Sequence, residues 1–274
     1  MAVTLIVTRP AAQAAQWVQQ LQALGQAASA LPLIGVQALA DSTALIAAWQ
    51  RLPSLALLVF VSPNAVQHFF AARPSGAGHN WPLTLLAGST GPGTTAALHR
   101  AGVPAAQVVE PDPQAQQFDS EALWRAIQHR QWAGQRVAVV RGEDGRDWLA
   151  DVLREQGALL EFIAAYQRVA PLWSPAEEAL LLAAQARPGT YLWLFSSSQA
   201  LAELARLAPA ADWSTSRAMA SHPRIVQAAR AAGFGMVQSV APSPQAVLNR
   251  LRDSALHGTA ARPDADPPIQ FKNT

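Results

Sequence analysis

The sequence predicts an α/β protein with parallel sheets, organised as two similar halves. Short apolar or β-branched runs, such as residues 3–7, alternate with Ala-, Gln- and Leu-rich stretches of helical period, such as residues 11–24. This alternation is typical of βα units on a parallel sheet. The second half of the chain repeats features of the first, and polar turns follow the predicted strands in both halves. Together these observations favour two related α/β units.

The repeat is carried by the same kinds of residue at nearly constant spacing. Arg9 and Gly25 return as Arg141 and Gly157, in each case 132 positions later. Ser62 returns as Ser196, 134 positions later. Two further features return after 131 positions: Gly102 as Gly233, and Pro111-Asp112-Pro113-Gln114 as Pro242-Ser243-Pro244-Gln245. Two similar halves form a cleft between them, and equivalent polar turns on its two sides are where function is expected.

The remaining elements follow the same alternation in chain order. Strands are predicted at residues 55–61, 83–87, 137–140, 191–195 and 218–221. Helices are predicted at residues 65–72, 94–101, 120–128, 146–156, 199–207, 224–232 and 244–252. Gly25, Gly102, Gly157 and Gly233 each follow a helical run, where a residue of left-handed conformation is favoured. Ser120 precedes its helix and is the predicted N-cap.

Two extended segments, residues 29–38 and 162–170, interrupt the βα alternation and are the candidate interdomain linkers. If these segments pair with each other, the domain that begins the chain also contains its end. The other domain, at about residues 40–160, is then inserted between the two parts of the first.

Composition excludes several classes of active site. The chain has 274 residues, half of them apolar, which suits two domains of ordinary size. It has no cysteine, so disulfides, thiolate metal sites and cysteine nucleophiles are excluded. Its one lysine, Lys272, lies in a segment at residues 257–274 that is rich in Pro, Asp and Ala and is predicted to be disordered. A lysine-dependent active site is therefore not expected.

Charge and hydropathy indicate a protein with a small anionic ligand. The net charge is only +2, and the arginines are scattered, so nucleic acid binding is not expected. The longest apolar run, residues 55–61, is too short to cross a bilayer, and Arg9 precedes any signal-like apolar region. A cytoplasmic location without membrane contact is expected. No pair of histidines has metal-ligand spacing, so no metal site is predicted.

Polar turns follow most of the predicted strands. In an open parallel sheet, ligands bind outside the carboxyl ends of the strands, where loops and helix N-termini present free amides. The turns are Thr8-Arg9-Pro10, Ser62-Pro63-Asn64, residues 88–95, residues 141–146, Ser196-Ser197-Ser198 and Ser221-His222-Pro223-Arg224. Hydroxyls and backbone amides at such turns can bind carboxylate or phosphate.

Taken singly, these turns fit more than one interpretation. Gly91-Pro92-Gly93-Thr94-Thr95 either holds an anion or is a Gly-Pro turn with a threonine N-cap. Ser62 and Ser196 are either nucleophiles or ordinary N-caps, and neither lies in the Gly-x-Ser-x-Gly elbow that is typical of a serine nucleophile. Arg9 either binds a carboxylate or forms an ion pair with an acid such as Asp41.

Tyr166 stands out because the chain has only two tyrosines and this one lies in a predicted linker. It either faces the cleft as a site residue or packs as a structural bridge between the domains.

In this order and spacing, the turns resemble those of the uroporphyrinogen-III synthase family across roughly residues 3–253. The matching motifs are Thr8-Arg9-Pro10; Phe60-Val61-Ser62-Pro63-Asn64-Ala65-Val66; Gly91-Pro92-Gly93-Thr94 with Gly102; Ser120-Glu121-Ala122-Leu123; Arg141-Gly142 with Gly145-Arg146; Ala165-Tyr166-Gln167-Arg168; Phe195-Ser196-Ser197-Ser198; and His222-Pro223-Arg224-Ile225 with Gly233. Val61, Thr95 and Ile225 depart from the family pattern, which puts a ligand role for Ile225 in doubt.

The resemblance implies a fold of two flavodoxin-like, doubly wound parallel-sheet domains joined by a two-stranded β linker, with the active site in the interdomain cleft. By that resemblance, residues 1–30 with 171–256 form one domain and residues 40–160 the other. Residues 31–39 and 161–170 form the linker strands. A monomer without a cofactor is implied.

The resemblance also implies the activity. Members of the family are cyclising hydro-lyases of tetrapyrrole and haem biosynthesis, which close hydroxymethylbilane to uroporphyrinogen III with inversion of ring D and loss of water. Tyr166 is the expected catalytic residue. The expected substrate-binding residues are Thr8, Arg9, Ser62, Pro63, Asn64, Gly91, Thr94, Arg141, Ser196, Ser197, His222 and Arg224. A transient contact with hydroxymethylbilane synthase is a further expectation.

Two other classes of protein fit part of the pattern. A two-lobed module that binds a small anion without catalysis also consists of duplicated α/β domains around a hinge, but such receptors usually carry a signal peptide. A nucleotide-sugar transferase also has two doubly wound domains, although no nucleotide motif is recognisable in this sequence.

Overall fold

The computed structural model describes residues 3–76, 80–115 and 117–256. In chain order its main elements are β1 (Thr4–Val7), α1 (Ala11–Ala23), β2 (Ala28–Ala30), β3 (Gly35–Ala38), α2 (Thr43–Arg51), β4 (Leu57–Phe60), α3 (Pro63–Ala71), β5 (Leu86–Ser89), α4 (Pro92–Arg100), β6 (Val108–Val109), α5 (Ser120–Ile127), β7 (Arg136–Gly142), α6 (Trp148–Glu155), β8 (Leu159–Val169), α7 (Pro175–Ala186), β9 (Tyr191–Phe195), α8 (Ser198–Leu207), β10 (Arg217–Ala220), α9 (Pro223–Ala231), β11 (Met236–Ser239) and α10 (Pro244–Leu256).

The first sheet combines the beginning and the end of the chain. Its strand order is β11-β10-β9-β1-β2, and the neighbouring strands pair in parallel. Numbered within this sheet, the order is 2-1-3-4-5 from the β2 edge, which is that of a flavodoxin-like doubly wound fold. The order of the strands reverses between β1 and β9, where such sheets bind their ligands.

The second sheet has the order β3-β8-β7-β4-β5-β6, and only β3 pairs antiparallel. Without β3, the five parallel strands of this sheet correspond in order to those of the first sheet: β8 to β2, β7 to β1, β4 to β9, β5 to β10 and β6 to β11. The sequence repeat has the same correspondence. Each sheet therefore combines the first two strands of one copy with the last three of the other.

The two extended segments predicted as linkers do pair. β3 runs antiparallel to the end of β8, with Gly35 opposite Val169 and Ala38 opposite Tyr166. The rest of β8 pairs in parallel with β7, so this single strand is both a sheet strand and part of the connection. Residues 29–30 of the predicted segment belong to β2 in the first sheet. The domain boundaries themselves remain a prediction.

Apolar side chains cover both faces of each sheet. In β4, Leu57 and Val59 pack on one face, while Leu58 and Phe60 pack on the other. β9 likewise divides its side chains between two clusters. This two-sided burial explains why the strands are continuous apolar runs rather than alternating ones. Burial of each such Leu or Phe stabilises the fold by about 1.5–3 kcal/mol.

The four glycines predicted to follow helices are confirmed, whereas the predicted N-cap of α5 is wrong. Gly25, Gly102, Gly157 and Gly233 all have positive φ, for example 88° at Gly102, as predicted for residues that follow a helix. The N-cap of α5, however, is Asp119 and not Ser120. The Asp119 carboxylate accepts a 2.8 Å hydrogen bond from Ala122 N, and Ser120 is the first helical residue.

The predicted disordered segment, residues 257–274, lies outside the described residues. Across the part of the chain that the structure describes, each helix falls short of the length or the apolar character that crossing a membrane requires.

Candidate active site between the two sheets

A cavity of about 600 Å³ lies where the carboxyl ends of strands from both sheets meet. Turns after β1, β9 and β10 form one wall, and turns after β4 and β5 with the end of β8 form the other. The sequence-predicted residues that line it are Arg9, Ser62, Pro63, Asn64, Gly91, Thr94, Tyr166, Ser196, Ser197, His222 and Arg224. The structure thus brings together most of the predicted site, from both copies of the repeat.

Thr8 and Arg141 are not among the residues that line this cavity. The Thr8 side chain is buried, and its hydroxyl donates a 2.7 Å hydrogen bond to the carbonyl of Leu194. This bond ties the end of β1 to β9. Arg141 forms an ion pair with Asp147, and its guanidinium lies 3.8 Å from the ring centroid of Phe162. A substrate carboxylate would therefore have to displace Asp147 to reach Arg141.

Arg9 and Arg141 occupy equivalent positions in the repeat but have different partners. Asp147 is the partner of Arg141, and the residue 132 positions before Asp147 is Ala15. The first copy therefore has no acid at that position. An alignment of the two copies could therefore have indicated that Arg141 has an acidic partner and that Arg9 lacks the equivalent one.

The Arg9 guanidinium has no carboxylate partner among the described residues. It lies 4.4 Å from the ring centroid of Trp17, and its Nη1 is 3.5 Å from Gln13 Oε1. The predicted alternative partner, Asp41, instead accepts a hydrogen bond from Thr43 N. Burial lowers the pKa of Arg9 to about 10, which still leaves it charged at neutral pH. An anionic ligand is the natural counter-ion for this group.

Tyr166 is almost fully buried at the end of β8, with its hydroxyl 3.2 Å from Ser62 Oγ. Ser62 Oγ also accepts a 3.1 Å hydrogen bond from Ala65 N, which caps α3. Either hydroxyl can be the donor in the Ser62–Tyr166 contact, and Ser62 Oγ can accept from Ala65 N while donating its own proton to Tyr166 Oη. The Tyr166 proton is then free to be donated into the cavity.

The turn at Gly91 presents the start of α4 to the cavity. The N-cap is Gly91, without a side-chain cap, rather than a threonine. Ser89 holds this turn: its Oγ donates to Gly91 O at 2.9 Å and accepts from Gly91 N at 3.2 Å. Thr95 is turned away from the cavity and donates to Glu110 at 2.6 Å. Thr94 lines the cavity. An anion bound at this turn could therefore contact the Thr94 hydroxyl as well as the N-terminus of α4.

His222 and Arg224 make hydrogen bonds across the cleft. His222 Nδ1 accepts from Arg224 N at 3.2 Å, so in the neutral ring Nε2 carries the proton and donates to Asp119 Oδ2 at 3.2 Å. Arg224 Nη2 donates to Glu121 Oε1 at 3.0 Å. Two predicted substrate-binding residues are thus bound to carboxylates across the cleft.

Glu121 is also held by a second arginine from its own side of the cleft. Arg146 makes two hydrogen bonds to the Glu121 carboxylate, at 2.9 and 3.1 Å. The Arg146 hydrogen bond, with a smaller contribution from Arg224, lowers the pKa of Glu121 to about 2, although partial burial opposes this. Glu121 therefore stays ionised over the physiological pH range.

A third cross-cleft contact joins Gln13 Nε2 to Asn64 Oδ1 at 3.0 Å. Sequence reasoning did not single out Gln13, Asp119 or Glu121 as residues that span the cleft. Asp119 carried a recognisable signal, since an Asp before an apolar helical run is a favoured N-cap. Gln13 carried none, because a glutamine on a Gln-rich helix looks like a solvated surface residue.

The comparisons with known proteins agree with this geometry. Residues 15–249 match the family model described as uroporphyrinogen-III synthase HemD. The chain belongs to the uroporphyrinogen-III synthase family. It is 30% identical to the uroporphyrinogen-III synthase of Escherichia coli K12, over 75% of this chain and 80% of that protein. It is 32% identical to the one from Salmonella typhimurium, over 65% of this chain and 70% of that protein.

Solved structures of uroporphyrinogen-III synthases share the fold. A mutant enzyme from Thermus thermophilus superimposes with a TM-score of 0.59 at 16% identity, covering 93% of this chain and 100% of that one. The enzyme from Helicobacter pylori gives a TM-score of 0.56 at 14% identity, covering 92% and 99%. At such identities the likeness shows the two-domain α/β fold alone.

No group of three or more acidic or histidine side chains suited to a metal ion occurs among the residues that the structure describes.

Proposed function

We propose that this chain is a uroporphyrinogen-III synthase, which closes hydroxymethylbilane to uroporphyrinogen III with loss of water and inversion of ring D. The observation that carries the proposal is the family match over residues 15–249, which includes strands of both sheets and most of both cavity walls. The chemistry of the cavity supports it, because its walls offer hydroxyls, helix N-termini and arginines rather than a cofactor-binding motif.

The substrate is expected to bind through many separate carboxylate contacts. Hydroxymethylbilane carries an acetate and a propionate on every pyrrole, so both walls can contribute. Thr94 supplies a hydroxyl on one wall, and Ser197 supplies one on the other. Arg9 supplies a cation that has no acidic partner of its own among the described residues. In this arrangement no single contact is required for binding.

Tyr166 is the proposed catalytic residue. With Ser62 donating to its oxygen, the Tyr166 hydroxyl can donate a hydrogen bond to the terminal hydroxyl of the substrate as that group leaves. Departure of the hydroxyl gives an azafulvene cation, which the far ring attacks through its substituted α-carbon. The resulting spiro intermediate fragments and closes again with ring D inverted.

Control of geometry is the main task of the cleft. Closure without the enzyme is easy but gives the uninverted isomer, so the chain must hold the two ends of the substrate in the arrangement that favours attack at the substituted carbon. Opposed walls that bind carboxylates at many points suit this task better than one strong acid or base.

The test is an isomer analysis. Hydroxymethylbilane freshly made by its synthase is given to the purified chain, the products are oxidised, and the porphyrin isomers are separated. Type III porphyrin is the expected product. If only type I is formed at high enzyme concentration, the chain is not a synthase, and the two-lobed anion-binding module becomes the better description.

Two finer expectations belong to the same proposal. We propose transient contact with hydroxymethylbilane synthase, since direct transfer would limit spontaneous closure of the released substrate. Cross-linking of the two purified proteins during turnover tests it. A cytoplasmic location also remains a prediction, which cell fractionation tests.

A further inference from the structure

A second cavity, of about 550 Å³, lies beside the active-site cavity, between α1 on one side and α3 and α4 on the other. We name it the α1 chamber. The two cavities share seven lining residues, among them Arg9, Gln13 and Trp17. The Gln13–Asn64 hydrogen bond lies between them, because Gln13 lines both cavities whereas Asn64 lines only the active-site cavity.

Among the residues that the structure describes, those that line the α1 chamber include no acidic side chain. Arg9 lines one side, and Arg100, in the last turn of α4, lines the other. The other polar side chains are neutral: the amides of Gln13, Gln16, Gln20 and Gln67 and the hydroxyl of Ser243. The aromatic rings are Trp17 and Phe70. Cations and amides beside aromatic rings suit a flat ring that carries carboxylates. The active-site cavity differs, since Asp119 lines it.

Arg9 connects the two cavities electrostatically. Its guanidinium stacks on Trp17, its polar contact is the long one to Gln13, and no described carboxylate pairs with it. A partly buried cation without a counter-ion is unfavourable, so a ligand carboxylate that approaches from either cavity gains from it.

We propose that the α1 chamber is a second compartment of the substrate site, which holds the carboxylate-bearing inner pyrroles of the linear substrate, between the two reacting terminal rings. This inference rests on the proposed function. For the two terminal rings of a linear tetrapyrrole to meet, the inner pyrroles must loop out of the line between them. If the terminal rings react near Tyr166, the α1 chamber is a neighbouring space that can accept that loop. Arg9 then binds carboxylates at the junction, and Arg100 binds one at the far side.

The first experiment removes the far cation. Arg100→Gln is compared with Arg125→Gln, because both are exposed arginines in the last turn of a helix and Arg125 lines neither cavity. The KM for hydroxymethylbilane should rise about threefold in Arg100→Gln, as for loss of an exposed ion pair. The value for Arg125→Gln should equal that of the wild type.

The second experiment fills the chamber. Ala96 is exposed on α4 and lines the chamber, so Ala96→Phe occupies space without a change in the core. Ala205→Phe, at an exposed position of α8 outside both cavities, is the control. Ala96→Phe should raise the KM by about tenfold, the equivalent of one lost ring contact. Thermal unfolding checks that both variants are folded, and if Ala96→Phe is not, Arg100→Gln decides alone.

The outcomes separate this inference from the proposed function. If the wild type makes type III porphyrin and both chamber variants keep its KM, the chamber does not bind the substrate and the inference is overturned. If the wild type makes no type III porphyrin, the proposed function is wrong, and the second compartment is rejected with it. A raised KM in the chamber variants, with unchanged controls, supports the second compartment.

Discussion

The position of the Tyr166 hydroxyl depends on neighbours from two adjacent strands. Ser62, after β4, lies 3.2 Å from the hydroxyl. Gly142, at the end of β7, leaves room for the ring, since a Cβ at that residue would lie 3.0 Å from Tyr166 Cε2. The ring is therefore fixed by packing, while the hydroxyl is fixed by one hydrogen bond.

Removal of this hydroxyl tests the proposed role of Tyr166. In Tyr166→Phe the ring still packs, but no donor assists departure of the substrate hydroxyl, so kcat should fall by about 100-fold, at the low end of the effect of a positioned proton donor. Tyr191→Phe is the matched control, because Tyr191 is the other tyrosine of the chain and lies outside the cavity. Single-turnover kinetics measure both. Equal kcat in the two variants would remove Tyr166 from the mechanism.

At this scale the sequence predicts which turns meet but not which way each side chain points. Thr8 follows a strand as expected, yet its hydroxyl donates a hydrogen bond to Leu194 O inside the sheet and not to the cavity. Arg141 forms an ion pair with Asp147, and the first copy of the repeat has no acid at the equivalent position. Side-chain direction depends on partners from other elements, and a motif read along one chain does not contain them.

Among the elements, the paired strands β3 and β8 connect the two sheets most directly. They approach closely at Gly35, where an added Cβ would lie 2.7 Å from Val169 Cγ2 and 2.9 Å from the backbone oxygen of Ala170. Strand pairing at this distance requires a residue without a side chain. The spacing of the two walls of the cleft therefore depends on one glycine.

Substitution of that glycine should destabilise the connection. In Gly35→Ala, the strands must separate or bend, which should lower the free energy of unfolding by about 1–3 kcal/mol, as in other overpacked sites. Gly189→Ala is the control, because nothing lies within 4 Å of a Cβ added there. Urea unfolding followed by tryptophan fluorescence compares them. Unchanged stability of Gly35→Ala would show that the connection tolerates a wider separation.

The order of the elements was predictable, whereas several boundaries were not. The near-constant spacing of the repeat identified β1 with β7 and β4 with β9, which occupy equivalent places in the two sheets. The strand predicted at residues 83–87 instead begins at Leu86, because Leu85 N bonds Pro82 O in a turn. Apolar character extends through that turn, so hydrophobicity alone cannot locate the start of the strand.

On the scale of the whole molecule, three pairs of side chains among the described residues form hydrogen bonds across the cleft: Gln13 with Asn64, His222 with Asp119, and Arg224 with Glu121. Two of these pairs use residues predicted to bind the substrate. Because His222 and Arg224 are already bonded to Asp119 and Glu121, binding of substrate at these two residues requires the contacts to be exchanged.

The low pKa of Glu121 gives its contacts a defined pH range. Because the folded pKa is about 2 and the ordinary value is 4.5, the stabilisation by Glu121 is present above pH 4.5 and is lost as the pH falls through about 2. The difference in unfolding free energy between the wild type and Glu121→Gln should therefore shrink over that interval. Urea titrations at neutral pH and at a pH of about 3 measure it.

Arg224→Gln is the control for this pH dependence. Since Arg146 makes the largest contribution to the pKa of Glu121, most of the effect should persist when Arg224 is removed. A stability difference for Glu121→Gln that stays constant with pH would show that Glu121 is not held by these arginines in solution.

The central claim is that the two walls control the isomer through many contacts and not through one essential group. The fraction of type III porphyrin formed by Ser62→Ala tests it most directly, because Ser62 contacts Tyr166 and lines the cavity. The account predicts that type III remains the main product while the rate falls by about 2- to 10-fold, as for loss of one hydrogen bond. Complete loss of type III formation in this single variant would contradict it.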